Sequence, residues 1–302
     1  MPPITAAEEF SKNINMKQEH IEYLRNWMSK QPHLPSEVTD EQLILFLHSC
    51  QNHLEACKRT IQAYYKIRSN SPEIFGNRDP NGHDVQQVLS ILEFAVLPKK
   101  DQHGNAVMAV RFSDLDVTKF SHSGALKTYF MVQDVFMLEN GTVPGYVFLM
   151  DPKGCRFEHL SRLTLSYTKM YAEYIQVCLF QDAFPGNVVA NHFLNANYVT
   201  KAMMAMLKPF LKSCMSRKIF IHTSMNTLYD HVSKDALPKE YGGKLDSLTT
   251  YHKMMVAQLG HYRNWFQEEE TFLMDESKRP EKQKDERRVL DNEHSTKMLE
   301  ID

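Results

Sequence analysis

No apolar run in this chain approaches the length of a membrane-spanning helix, so the sequence offers no candidate transmembrane segment. An excess of either charge is missing too. The 35 Lys and Arg face 37 Asp and Glu, and a formal net charge of −2 lacks the basic balance of an electrostatically driven nucleic-acid binder. Cysteine is scarce: Cys50, Cys57, Cys155, Cys178 and Cys214 are odd in number and form no C-x-x-C pair. Neither a zinc cluster nor a complete disulfide framework is suggested, and a reducing compartment fits best. The opening MPPITAAEEF carries acidic residues where a secretory signal has a basic stretch and an apolar core, so a cytoplasmic protein is expected. In that setting the sequon Asn140-Gly141-Thr142 reads as a turn.

Catalytic signatures are also absent. There is no G-x-S-x-G elbow, no H-E-x-x-H and no G-x-G-x-x-G turn. Gly242-Gly243-Lys244 fails as a phosphate loop because Pro238 stands where its first glycine belongs. On one continuous helix His53 and Cys57 would share a face beside His48 and Cys50, a possible metal site, yet both cysteines lie on the apolar repeat and read as core. His192 and His222 sit in strand-like runs and are read as structural histidines. No catalytic residue, metal or cofactor is assigned.

What is present is a globular composition, 42% hydrophobic and 24% charged, enough for one large domain with a small accessory. Phe10, Ile14, Ile21, Leu24 and Met28 share a helical face until Pro32 and Pro35. Thr39 and Asp40 are N-cap candidates for a second helix carrying Leu43, Phe46, Leu47 and Cys50, and Leu54, Cys57, Ile61 and Tyr64 continue the spacing after Gln51-Asn52-His53. Residues 1–75 are therefore expected as a helical domain, with a loop boundary at Gly76–Gly82.

The stretch Val85–Phe94 is helix-like, Lys99–Asn105 is a turn, and Ala106–Phe112 reads as the first strand. Gly124–Leu138 is too densely apolar for a solvated helix. Tyr146–Met150, apolar on both faces, belongs in the middle of a covered parallel sheet. Leu163, Tyr167, Met170, Tyr174 and Val177 mark an amphipathic helix that covers it. A strand is expected at Val188–Phe193, then a methionine-rich helix from Tyr198, and a packing helix around Met254–Phe266. Residues 268–302 are dense in charge and read as a solvated tail, with a possible partner-binding helix around Val289–Leu299.

The methionine-rich face is soft enough to repack around differently shaped apolar partners, although an ordinary core helix has the same spacing. Asp182-Ala183-Phe184-Pro185, His192, Asn195, Lys208-Pro209-Phe210-Leu211 and Leu237-Pro238-Lys239-Glu240-Tyr241-Gly242-Gly243 follow in order. This run resembles the CRAL-TRIO lipid-binding family. Tyr64-Tyr65-Lys66-Ile67-Arg68, Pro72-Glu73-Ile74-Phe75 and Asp151-Pro152-Lys153-Gly154 extend the likeness, which spans about residues 10–250 and is greatest to the retinaldehyde-binding and tocopherol-transfer branch. The chain departs at Leu45, His48 and Cys50, where members often carry arginine. It departs again at Gly186, Asn187 and Val189, where members under phosphoinositide control carry basic residues.

The resemblance implies a small N-terminal helical domain (1–75), an α/β domain (76–267) whose mainly parallel sheet floors an apolar pocket under a mobile gate helix, and a flexible tail (268–302). The pocket is assigned to Tyr146, Phe148, Met150, Val188 and Ala190 on the sheet, to Tyr129, Val132, Phe136, Tyr174 and Phe184 in its walls, and to Tyr198, Met203, Met206, Leu207 and Phe210 on the gate. An apolar cavity for a small lipid is roughly 300 to 1,000 Å³. Lys201, Lys208, Lys212, Arg217 and Lys218 are expected to meet a membrane surface transiently. The expected function is non-enzymatic carriage of one lipophilic ligand, such as a retinoid, tocopherol, carotenoid or other terpenoid. A lipid-sensing adaptor acting through the charged tail and a hydrolase or isomerase using His192 or His222 are the alternatives; no protein partner is assigned.

Overall fold

The structure, a computed structural model, describes residues 2–176 and 183–280. The chain begins with helices α1 (Ala6–Lys12), α2 (Gln18–Met28), α3 (Asp40–Ser49), α4 (Leu54–Asn70) and α5 (Pro72–Phe75). Thr39 caps α3 as its sequence predicts, its hydroxyl accepting from Gln42 N while the Gln42 side chain returns to Thr39 N. The one helix expected across Phe10–Met28 is two. Glu9 is buried against the Thr142 N–H and hydroxyl, which docks α1 separately and leaves Ile14 89% exposed in the break. Gln51 and Asn52 both take left-handed backbone (φ 51° and 61°), so α3 and α4 are not one helix: His48 and Cys50 are cut off from His53, the N-cap of α4, and Cys57 is buried in the core.

After α6 (His83–Leu89) come β1 (Leu92–Val96), β2 (Ala106–Phe112), α7 (His122–Asn140), β3 (Tyr146–Asp151), α8 (Phe157–Leu160), α9 (Leu165–Ile175) and β4 (Val188–Phe193). Then follow α10 (Tyr198–Leu207), a 3-10 turn at Lys208–Phe210, α11 (Ser213–Ser216), β5 (Ile219–Ile221), α12 (Leu248–His261) and α13 (Arg263–Glu269). The five strands lie in sequence order, β1 antiparallel to β2 and the others parallel. This is the mixed α/β architecture expected, with β3 central. Strand β1 was hidden in the sequence because Val85, Val88, Leu89 and Leu92 keep a helical spacing across the turn at Ser90, so Ala106–Phe112 is the second strand. Its exposed edge is blunted where Phe94 N donates to His252 Nδ1 of α12 at 3.2 Å.

Alternation along the strands divides the core. Leu92, Phe94, Met108, Tyr146 and Phe148 face α7, α9 and the N-terminal helices. Ala95, Val107, Ala109, Val147 and Leu149 face the turn-rich segment from Leu228 to Leu248. The Leu-Pro-Lys-Glu-Tyr-Gly-Gly run thus closes the second face: Leu237 and Tyr241 are buried there, and a Cβ on Gly243 would lie 1.9 Å from Leu237 O. Only glycine allows that approach.

Two helices stand where one was expected near the C-terminus, and Met254 is 57% exposed while Met255 is buried. The stretch after α13 does not run into solvent. Met274 N donates to Ser69 Oγ at 2.7 Å, Asp275 N to His33 O at 2.9 Å, and Arg279 to Gln62 at 2.8 Å, so this stretch folds back on the N-terminal helices. The proposed helix at Val289–Leu299 lies outside the described residues, as do Val177, Cys178 and Asp182. Cys50, Cys57 and Cys155 are free thiols. Cys214 is disulfide-bonded, a crosslink that the odd cysteine count did not anticipate because sequence spacing carries no information on distance in the fold.

Candidate functional site

Helix α10, the expected gate, is held at both ends. Asn197 caps it, Oδ1 accepting from Val199 N at 2.8 Å and Thr200 N at 3.2 Å. Just upstream, Asn195, with left-handed backbone, donates to Asp151 Oδ1 at 2.9 Å and ties the helix start to the end of β3. At the other end Gln176 uses its whole amide: Nε2 donates to Phe210 O at 2.9 Å and Oε1 accepts from Lys212 N at 2.5 Å. This clasp stops the helix at Leu207, with the 3-10 turn after it, rather than at Leu211.

Under α10 lies a cavity of about 190 Å³, smaller than the range expected of a filled lipid pocket. Its floor is one face of the sheet at the carboxyl ends of the parallel strands, from Val110 and Phe112, Met150 and Asp151, and Phe193, continued by Leu92 and Phe94 of β1. Met203, Met204, Met206 and Leu207 roof it, Leu126 and Tyr129 of α7 form one wall, and Thr168 and Tyr171 of α9 form the other. Among the described residues no Lys or Arg lines it. His122 does, but burial holds its imidazole down to about 4, so it is neutral at pH 7. Besides Asp151 and His122, a ligand here meets carbon, sulfur and a few hydroxyls.

A family model described as CRAL/TRIO domain matches residues 92–243. The chain belongs to that family.

CRAL/TRIO domains bind and transfer lipids, and the cavity lies wholly within the matched span. A model described as Pinta-like, UBA domain matches residues 13–85, the N-terminal helices. The mouse protein named alpha-tocopherol transfer protein-like (Mus musculus) is 27% identical over 251 residues, covering 81% of this chain and 70% of that protein. Rat clavesin-1 (Rattus norvegicus) is 25% identical over 240 residues, 78% of this chain and 66% of its own length. A solved structure titled "Crystal structure of Sfh5" aligns with 82% of this chain and 79% of its own at TM-score 0.46 and 14% identity, too distant to inform the site.

Of the residues assigned to the CRAL/TRIO pocket from sequence, Tyr129, Met150, Met203, Met206 and Leu207 line the cavity. Val132 and Phe148 line a small adjoining void, of about 10 Å³, with Tyr129 and Met150. Phe136, Tyr146, Tyr174, Phe184 and Val188 are buried in the same core, but they pack on one another: Tyr146 meets Phe136 at 5.7 Å and Phe184 at 5.3 Å between ring centroids. Tyr146 and Val188 begin their strands, whereas the cavity opens at the other end. Ligands of open α/β sheets sit outside the carboxyl ends of the strands.

Ala190 is on the wrong face. The register jumps from Tyr146↔Val188 to Val147↔Ala190, so Val189 is an extra residue and the bulge turns Ala190 into the second core beside Val147. Tyr198 is 53% exposed and packs on Phe157, which is also exposed, at 5.0 Å between ring centroids. Phe210 is half-buried in the turn after the gate. Lys201, Lys208, Lys212 and Arg217 are exposed and Lys218 is half-buried, all on α10 or between it and β5.

Sequence reading missed Leu92, Phe94, Val110 and Phe112. The register recovers them: Val110 pairs with Met150 and Phe94, and Phe112 with Leu92, so all share the Met150 face. A second cavity, of about 390 Å³, lies between the N-terminal helices and α7, but it is walled by Glu9, Glu41 and Asp134, whose carboxylates are already bonded within the protein. Among the described residues no group of three His, Cys, Asp or Glu is placed to hold a metal. His192 and His222 lie away from the cavity: Phe193 lines it while its neighbour His192 points to the opposite face with Leu149, bonded to His222 at 2.8 Å.

Proposed function

We propose that this protein is a non-enzymatic carrier that takes up one lipophilic ligand under α10 and moves it between membranes. The observation that carries the reading is a largely apolar cavity roofed by methionines on a helix clasped at its ends. Sulfur-containing, unbranched side chains adapt to a bulky guest, and about 400 Å² of buried ligand surface at about 25 cal/mol per Å² is on the order of 10 kcal/mol before ordering costs. The His192–His222 pair, turned away from the cavity, supplies no acid or base to a ligand there.

The exposed Phe157–Tyr198 pair beside Lys201, with Lys208, Lys212 and Arg217 beyond, suits a reversible approach to an anionic bilayer. That location would be peripheral and cytoplasmic. A retinoid, tocopherol, carotenoid or other terpenoid fits the aromatic floor better than a two-chain phospholipid; the mouse relative's name itself includes tocopherol. The test is native mass spectrometry of the purified protein, extraction of any bound molecule, and transfer of that molecule between donor and acceptor vesicles. One apolar molecule recovered unchanged and delivered to acceptor vesicles is expected. Recovery of a converted product would overturn the carrier reading in favour of an enzyme.

A further inference from the structure

The Gln133 side chain on α7 is 1% exposed, and its Oε1 has no hydrogen-bond partner, while its Nε2 donates to Tyr129 Oη at 3.0 Å. Buried amide oxygens are seldom left unpaired, because the lost hydration is not replaced. Gln133 borders the small void next to the main cavity, and Phe94, Val110, Tyr129 and Met150 line both spaces. An acceptor without a donor therefore borders a void that adjoins a largely apolar chamber. We infer that this position reads the ligand's polar end, and that the ligand is a neutral lipid carrying a hydroxyl group, an alcohol or a phenol, whose O–H is donated to Gln133 Oε1.

The orientation is fixed by neighbours. The Tyr171 ring stands against Tyr129, 5.8 Å between centroids, and Gln133 Nε2 donates to Tyr129 Oη. That bond sets Nε2 toward Tyr129 and leaves Oε1 for the guest. A carboxylate or phosphate terminus offers this acceptor no proton and finds no Lys or Arg in the described lining to balance its charge. An aldehyde or ketone offers an acceptor to an acceptor.

This inference rests on the carrier reading, and one experiment separates the two. Full-length protein is incubated with vesicles holding a matched pool, each of two skeletons (a C20 isoprenoid and a methylated chromane) as hydrocarbon and in hydroxyl form, the isoprenoid also as aldehyde and acid. Loading is then read by native mass spectrometry. The hydroxyl forms should load at least about tenfold over the rest. Gln133→Met, of similar volume, should remove that preference while hydrocarbon loading holds. Tyr129→Phe, which frees the amide to turn, should raise aldehyde over alcohol. Preferential loading of aldehyde or acid by the native protein, or an alcohol preference that survives Gln133→Met, overturns the hydroxyl assignment alone. Loading of nothing from the pool overturns the carrier reading together with it.

Discussion

A buried histidine titrates against the fold. Burial first, then the neighbouring His222 and His231, lower the His192 imidazole to about 3, and burial lowers His222 as well, partly offset by Asp230. The unfolded chain binds protons on these rings below about pH 6.5 while the native protein does not. Stability is therefore full above that value and declines as pH falls toward 3, by up to about 1.4 kcal/mol per pH unit for each ring kept neutral. Urea unfolding at pH 7.5, 6 and 5 should show this slope, and His192→Gln should reduce it. Equal slopes in the two proteins would contradict the role given to His192. The pair itself was placed by sequence only as two histidines in strands; that Nδ1 of one meets Nε2 of the other depends on β4 and β5 lying side by side.

At the scale of elements, α10 is a short helix bonded at its ends, and the proposed gate should open as those ends loosen. Replacing Gln176 by Ala removes both bonds to the turn after α10, each worth about 1 kcal/mol. Exchange of a bound fluorescent fatty probe should then quicken on the order of tenfold, with a stability loss of about 2 kcal/mol at most in urea unfolding. Stopped-flow transfer to acceptor vesicles measures it; an unchanged rate would mean that the clasp does not hold the gate. The helix was legible because Val199, Met203, Met206 and Leu207 repeat locally. Its clasp was not, since Gln176 reaches across 34 to 36 residues.

Across the whole molecule, four buried charges join what the sequence separates. Arg68 of α4 and Arg78 of the linker meet Asp134 of α7 at 2.7 Å each; Arg68 meets Glu269 of α13 at 2.9 Å, and Arg78 completes the ring with Glu269. The quartet is neutral, and it locks the UBA-like helices onto the CRAL/TRIO domain. Arg78→Met leaves two buried carboxylates sharing one cation and should cost about 3 to 5 kcal/mol in chemical denaturation. Converting Arg78 and Glu269 together to Met should recover most of that loss. A single-variant loss below about 1 kcal/mol would show that the quartet does little to hold the domains together.

The sequence by itself determined the order of a helical unit followed by an α/β unit, the central two-faced strand β3, the methionine-rich helix and the family motifs. These are local properties: a period, a cap, or a run of residues in fixed order. Tertiary structure alone decided which end of each strand faces the cavity, that a bulge at Val189 sends Ala190 to the other core, that Leu92–Val96 is an edge strand rather than a helix end, and that an unpaired Gln133 oxygen borders the void beside the cavity. Register and long-range pairing fix those outcomes, and a shift of one residue reverses every side chain that follows.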